Sequence, residues 1–182
     1  MVFGQMRIAM LSIHSCPLGH LGTRDTGGMS VYVRELAGEL GKLGLLIDVY
    51  TRVHDPQDEQ IYSLGENARL IHLNAGGNGE IDKLAIYPHL LDFAYSLEDF
   101  RRSEELEYDL IFSHYWLSGR VGVTLQRWWG VPHFMMFHTL GAAKNALGIG
   151  ETEPELRIAS ERQLTRDCHH IITSTEREKE AL

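Results

Sequence analysis

The sequence predicts an α/β domain: three layers, with a mainly parallel sheet between helices. Three observations carry this expectation. Short apolar runs of strand length recur at residues 6–13, 45–51, 68–73, 109–113, 131–137 and 170–174. Helical segments lie between most of them, and the first strand, first helix and second strand complete a βαβ unit expected to cross over right-handedly. Glycine-rich loops follow the first and third strands, and ligands of open α/β sheets gather outside the carboxyl ends of strands.

At 182 residues and 43% hydrophobic content the chain suits one well-buried, soluble globular domain. A formal net charge of -8 leaves no footprint for nucleic acid or an anionic membrane surface, although local basic clusters can still hold small anions. The two cysteines, Cys16 and Cys168, form no C-x-x-C pair and fit reduced thiols in the cytoplasm. The opening residues lack a basic region followed by a long apolar core. No apolar run reaches the ~18 residues of a membrane span, so neither secretion nor insertion is expected.

Residues 6–13 are short and nearly continuous in apolarity, as a central strand buried on both faces should be. They lead into the loop His14-Ser15-Cys16-Pro17-Leu18-Gly19-His20-Leu21-Gly22-Thr23-Arg24-Asp25-Thr26-Gly27-Gly28. A helix over 29–43 then gathers Val33, Leu36, Ala37, Leu40 and Leu43 on one face, and Gly44 stops it as a left-handed cap. After the second strand, the polar stretch 54–59 reads as a loop or edge hairpin. The third strand is followed by Asn74-Ala75-Gly76-Gly77-Asn78-Gly79 and by a helix over 83–105 that is irregular near Pro88. The fourth strand turns through His114-Tyr115-Trp116 into a helix over 117–129. The fifth delivers His138 and Thr139 ahead of Gly141-Ala142-Ala143-Lys144-Asn145. Pro154 suits the first turn of a helix reaching residue 167, and the sixth strand follows. Thr175 and Glu178 form a capping box that starts another helix. The chain stops at Leu182 without a helix-ending signal, which predicts the front part of a longer protein.

A buried strand, a loop and a helix N-terminus in that order make a receptor for anions, because the first helical N–H groups lack partners and the macrodipole is positive there. The first loop is neither G-x-G-x-x-G nor a Walker loop. Its spacing leaves open a long turn whose glycines only permit left-handed backbone angles. Five places converge on one sheet edge: His14 with Gly27-Gly28, the loop leading to Lys83, Tyr115, His138-Thr139, and the region from Lys144 to Arg157. Together they offer backbone donors, hydroxyls, imidazoles and cations, which is chemistry for holding a polyol and a phosphate. Taken singly, Lys83, Lys144 and Arg157 also read as solvated helix-face cations. His14, His114 and His138 show no metal-ligand spacing, so no metal is expected, and His169-His170 reads as helix-end stabilisation. No G-x-S-x-G elbow surrounds Ser12, Ser30 or Ser113, and covalent catalysis is not expected.

The string from His20 through Gly27-Gly28-Met29-Ser30-Val31-Tyr32 to Ala37 resembles the N-terminal signature of retaining GT-B glycosyltransferases related to sucrose-phosphate synthase and the mycothiol-pathway glycosyltransferase. So do Ser113-His114-Tyr115-Trp116-Leu117-Ser118-Gly119, His138-Thr139-Leu140 with Lys144-Asn145, and Arg157-Ile158-Ala159-Ser160-Glu161-Arg162-Gln163-Leu164. The resemblance implies a Rossmann-like domain, one of two that face each other across a cleft. In such enzymes the N-terminal domain binds mainly the acceptor and the C-terminal one the nucleotide sugar.

It further implies that Gly28, beside Gly27, contacts the donor diphosphate through its amide, and that Asp25, Thr26, Met29 and Ser30 shape the acceptor pocket. Lys83, Tyr115, Thr139 and Arg157 would surround a phosphorylated acceptor, with His14 and Lys144 in the same substrate-binding set and His138 catalytic, near the transferring sugar. Ser30 departs from the asparagine often found there. The implied reaction moves a sugar from a nucleotide-sugar, a UDP-sugar by resemblance, to a polyol or sugar-phosphate acceptor without a cofactor. The donor-binding half with its paired glutamates is absent, so residues 1–182 are expected to fold alone, to need the C-terminal GT-B domain and not to turn over alone. Two other readings stand beside this one. The first is a flavodoxin-like or receiver-like nucleotide- or flavin-binding module, against which the first strand is followed by neither an acidic pair nor a Ser/Thr-rich loop. The second is a noncatalytic regulatory domain on the same fold.

Overall fold

The computed structural model describes residues 5–19, 27–77, 79 and 81–182, so Asp25 and Thr26 of the implied acceptor pocket lie outside the described residues. In chain order the elements are β1 (Arg7–Leu11), α1 (Gly28–Lys42), β2 (Leu46–Arg52), β3 (Ile61–Gly65), β4 (Ala68–Leu73) and α2 (Lys83–Ile86). A 3-10 turn (Tyr87–His89), α3 (Leu90–Ser103), β5 (Leu110–His114), α4 (Tyr115–Trp129) and β6 (His133–Met136) follow. The last are α5 (Gly141–Leu147), α6 (Glu155–Asp167), β7 (His170–Ile171) and α7 (Glu176–Glu180).

The strands form one sheet in the order β3-β4-β2-β1-β5-β6-β7. All neighbours pair in parallel except β3, which runs antiparallel to β4 along the edge. Leaving β3 aside, the parallel strands run 3-2-1-4-5-6 in order of appearance, the doubly wound Rossmann arrangement. The winding reverses between β1 and β5, and the crevice beyond their carboxyl ends is the topological switch point.

Both sheet faces are covered, which explains the near-continuous apolarity of the strands. Along β1, Ala9 and Leu11 enter the core shared with Phe93 and Leu97 of α3 and Trp116, Leu117 and Val121 of α4. Ile8 and Met10 point the other way, into the core shared with Val33 and Ala37 of α1. The predicted end of α1 is present: Gly44 takes φ +88, its N–H donates to Gly41 O (2.9 Å), and the Leu45 N–H donates to Leu40 O (3.2 Å). These two bonds satisfy carbonyls that the helix terminus leaves open. The irregularity near Pro88 is the 3-10 turn between α2 and α3. Thr175 caps α7 through its Oγ1, which accepts the Glu178 N–H (3.1 Å), while the Glu178 carboxylate accepts from Ser174 N–H (2.8 Å).

Three boundaries differ from expectation. The edge strand β3 lies just beyond the polar stretch that reads as loop or hairpin, and its residues alternate in exposure because one face is open. Helix α4 begins directly at Tyr115 rather than at residue 117, with no intervening turn. The segment after Thr139 contains a helix, α5, whose first N–H is held by the Glu161 carboxylate (2.8 Å) rather than by a local cap. Among the described residues no helix is long and apolar enough to cross a membrane.

Candidate functional site

Three strand ends deliver the floor of the switch-point crevice. Beyond β1, the Ile13 N–H donates to Ser118 Oγ of α4 (3.1 Å) and Ser12 Oγ donates to Ser15 O (2.7 Å), which fixes the path of the chain through His14. The His14 ring is 5% exposed and lies against the Tyr115 ring at 4.3 Å between centroids. Burial, with Lys83 next in effect, lowers its pKa well below that of an ordinary histidine, so it is a neutral imidazole.

At the end of β5, His114 is fully buried and its Nδ1 lies 2.9 Å from Nε2 of His138, which follows β6. The Tyr32 ring of α1 meets both imidazoles edge-on, at 5.9 and 5.3 Å. Burial holds His114 far below its usual pKa and lowers His138 to about 4. The pair is uncharged at neutral pH and shares one hydrogen. Tyr115 and His138 both leave their strands in the left-handed region, at φ 74 and φ 65.

The N-terminus of α1 opens onto the same crevice. Gly27 is extended (φ -151, ψ -150), Gly28 is outside the left-handed region, and no side chain caps the helix. A Cβ at either position would meet nothing within 4 Å. The reading in which these glycines serve only left-handed turn geometry is therefore incorrect. The space beside them is open, next to helical N–H groups that lack intrahelical partners.

Arg157, 2% exposed and in the first turn of α6, forms the opposite wall. Its Nε donates to Glu161 (2.7 Å) and its Nη1 pairs with Glu153 Oε2 (2.9 Å). Its Nη2 donates to Thr139 O (2.7 Å) and Thr139 Oγ1 (2.9 Å), and the guanidinium carbon sits 4.8 Å from the Tyr115 ring centre. The other Glu153 oxygen, Oε1, pairs with Lys144 Nζ. Glu153 is anchored through its backbone: its N–H donates to Asn145 Oδ1 (2.7 Å) and its O accepts from Asn145 Nδ2 (3.0 Å). Burial pushes the Glu161 carboxyl upward in pKa against the pull of Arg157. At Glu153 burial pushes the same way, yet the bonds from Lys144 and Arg157 win and hold it below the usual carboxylate range.

These walls enclose a cleft of about 480 Å³. His14, Gly27, Gly28, Met29, Lys83, Tyr115, His138, Thr139, Lys144 and Arg157 all line it, so the structure brings these sequence-predicted residues together. A side lobe of about 310 Å³ shares Lys83, Tyr115, Lys144 and Arg157 and extends past Asp82 towards residues 151–154. Ser30 does not join them. It is 1% exposed behind the loop, with its hydroxyl bonded to that of Ser15. Sequence reasoning missed Glu153 and Glu161 as site residues, and it read His114 and His138 as lacking metal-ligand spacing without pairing them with each other. The i, i+4 spacing of Glu153, Arg157 and Glu161 was the available signal for the first two.

A family profile for the glycosyl transferase 4-like domain matches residues 27–182. The chain belongs to this family. The D-inositol 3-phosphate glycosyltransferase of Corynebacterium glutamicum is 39% identical over 179 residues, covering 97% of this chain and 43% of that protein. Its counterpart from Corynebacterium urealyticum is 41% identical over 175 residues, or 95% and 41% of the two chains. Among solved structures, sucrose-phosphate synthase from Thermosynechococcus elongatus matches with a TM-score of 0.89 at 28% identity, over 96% of this chain and 44% of that one. The chain thus spans less than half the length of these glycosyl transferase relatives, and its fold matches the N-terminal half of GT-B enzymes.

Proposed function

We propose that residues 1–182 are the acceptor-side domain of a retaining glycosyltransferase that moves a sugar from a nucleotide-sugar to a phosphorylated polyol or sugar. The observation that carries this reading is the convergence of three cations, Lys83, Lys144 and Arg157, with the open N-terminus of α1 on one cleft. Similarity to relatives named for D-inositol 3-phosphate and sucrose phosphate supports a phosphorylated acceptor. In retaining transfer, negative charge grows on the departing diphosphate while the sugar gains oxocarbenium character. Preorganised donors opposite that charge are the main catalytic asset.

The amides at Gly27 and Gly28 suit the diphosphate of a UDP-sugar, because nothing beyond Cα crowds their approach. Lys83, Lys144, Thr139 and Arg157 suit the acceptor phosphate, and neutral His138 suits a hydroxyl of the transferring sugar. His14, Met29 and Tyr115 provide the surface for the polyol ring, with Asp25 and Thr26 assigned to the same pocket. The donor is held from the other side by the C-terminal GT-B domain.

The test is calorimetric titration of the purified chain with D-inositol 3-phosphate and with free inositol. Binding of the phosphorylated compound, weakened at least tenfold by Arg157→Lys, is the expected result. The substitution replaces a planar fork with a point charge. Equal affinity for the two compounds would remove the phosphate from the proposal.

A further inference from the structure

We infer that Glu153 is an internal stand-in for the acceptor's phosphate, and that the need to displace it sets a threshold which an oxyanion must overcome to bridge Lys144 and Arg157. The inference rests on the acceptor-phosphate reading of the cleft. It starts from the way in which two of the cleft's cations are occupied: the two oxygens of one carboxylate bridge Lys144 Nζ and Arg157 Nη1. Two oxygens of a phosphate group would bridge the same pair in the same manner.

Arg157 has no other face to offer. Its Nε is committed to Glu161 and its Nη2 to both oxygens of Thr139. Thr139 also ties α6 to the segment after β6, whereas among the described residues the Nη1 side pairs with Glu153. An incoming oxyanion that grips Arg157 with two bonds must replace Glu153.

The local structure permits that exchange. The backbone of Glu153 is held in both directions by Asn145, so rotation of its side chain alone vacates the site. Its side chain is 15% exposed, against 6% for Glu161, which is therefore the fixed carboxylate of the two.

Competition of this kind selects by charge. A neutral polyol brings no charge to replace the two ion pairs that Glu153 makes, so Glu153 stays. A sulfate ester exchanges one negative charge for another. A phosphate monoester brings about 1.5 to 2 negative charges at neutral pH and gains over the carboxylate that it displaces.

The experiment measures glucose 6-phosphate and glucose 6-sulfate binding by calorimetry to the full chain and to Glu153→Gln, with thermal melting as the fold control. The amide keeps the shape and the backbone anchor but loses the charge. The expected result is phosphate-ester binding that tightens roughly five- to tenfold, the scale of losing the two competing ion pairs to Lys144 and Arg157. The sulfate ester is expected to tighten by a similar factor, since the cost of displacing Glu153 is common to both esters. Weaker or unchanged phosphate-ester binding by a variant that melts like the parent would overturn the inference and make Glu153 a group that positions Lys144 and Arg157. If Glu153→Gln melts far below the parent, Glu153→Asp decides instead, since a carboxylate one methylene shorter cannot span both cations and should also bind phosphate ester more tightly. Absence of phosphate-ester binding by parent and variant alike would overturn the acceptor-phosphate reading itself, and the exchange with it.

Discussion

Replacing Arg157 with methionine separates the structural weight of the guanidinium from its place in the cleft. Methionine retains much of the apolar stem against Tyr115, but Glu161, 4% exposed, loses its charged partner and keeps only the Gly141 N–H. Removing one partner of a buried pair costs about 3 to 5 kcal/mol. Because that N–H remains and Glu153 keeps Lys144, the lower end applies, about 3 kcal/mol, or a fall in Tm of roughly 6 to 12 °C for a chain of this size.

The loss has a characteristic pH dependence. The folded Glu161 carboxyl is already raised above the ordinary carboxylate value of 4.5 by burial, and removing Arg157 raises it further. The folded state then binds more protons than the unfolded state, so the deficit is largest above the folded pKa and shrinks as pH falls through it towards 4.5. Urea denaturation of parent and Arg157→Met at pH 8 and pH 5.5 measures this, and the quantity of interest is the difference between the two proteins. Adding Glu161→Gln should recover much of the loss at pH 8 and make what remains nearly independent of pH. A deficit that stays constant or grows on acidification would refute the argument that an uncompensated Glu161 is its source.

Two further outcomes are expected. Gly28→Ala should leave the fold intact and stabilise it by up to about 1 kcal/mol, since alanine replaces glycine at the first helical residue in open space, while weakening diphosphate binding at α1. A lower melting temperature would show that the glycine serves the chain rather than a ligand. His133, fully buried, is lowered by burial from 6.5 to about 4, so its contribution is undiminished above pH 6.5 and is lost as pH falls from there towards 4. Its share of the slope is about 1.4 kcal/mol per pH unit within that window, beside the shares of His14, His114 and His138, so His133→Asn should make the stability profile from urea denaturation shallower by that amount between pH 6.5 and 4, and an unchanged slope would reject the assignment.

Most of the sheet was legible because each parallel strand is buried on both faces and so appears as an uninterrupted apolar run. The edge strand was not, since Ile61, Tyr62 and Leu64 are only partly covered and no helix follows them. Helix α5 escaped for a different reason: the Glu161 carboxylate that holds its start comes from 20 residues further along the chain. The candidate site was legible as a set of strand ends, which topology gathers regardless of detail. Its electrostatics were not. Arg157 reads in the sequence as an open clamp for phosphate, whereas in the fold Glu153, Glu161 and Thr139 already hold it. Asp48 shows the same limit at the other end of the sheet. It is a lone acid in a buried strand, and its partners Arg7, Arg69 and Tyr108 come from three separate segments.

The left-handed residues at the ends of β5 and β6 connect this electrostatic arrangement to the fold. A non-glycine residue in that region costs roughly 1 to 2 kcal/mol, and glycine at either position would avoid it. Elsewhere glycine takes this conformation at Gly44, Gly130 and Gly148, and Asn67 and Glu105 take it in turns away from the cleft. At Tyr115 and His138 the side chains offset the strain through contacts made only when the chain turns back over the sheet. The Tyr115 ring lies between His14 and Arg157, and His138 is bonded to His114 and bordered by Tyr32. The floor of the cleft is consequently made of rings packed on one another, while the carboxylate on its wall is held through ion pairs to Lys144 and Arg157. On the proposed reading, the rigid floor orients the polyol and the exchangeable wall receives its phosphate, so a substitution in the floor should alter how the acceptor is positioned, and one at Glu153 how tightly it is held.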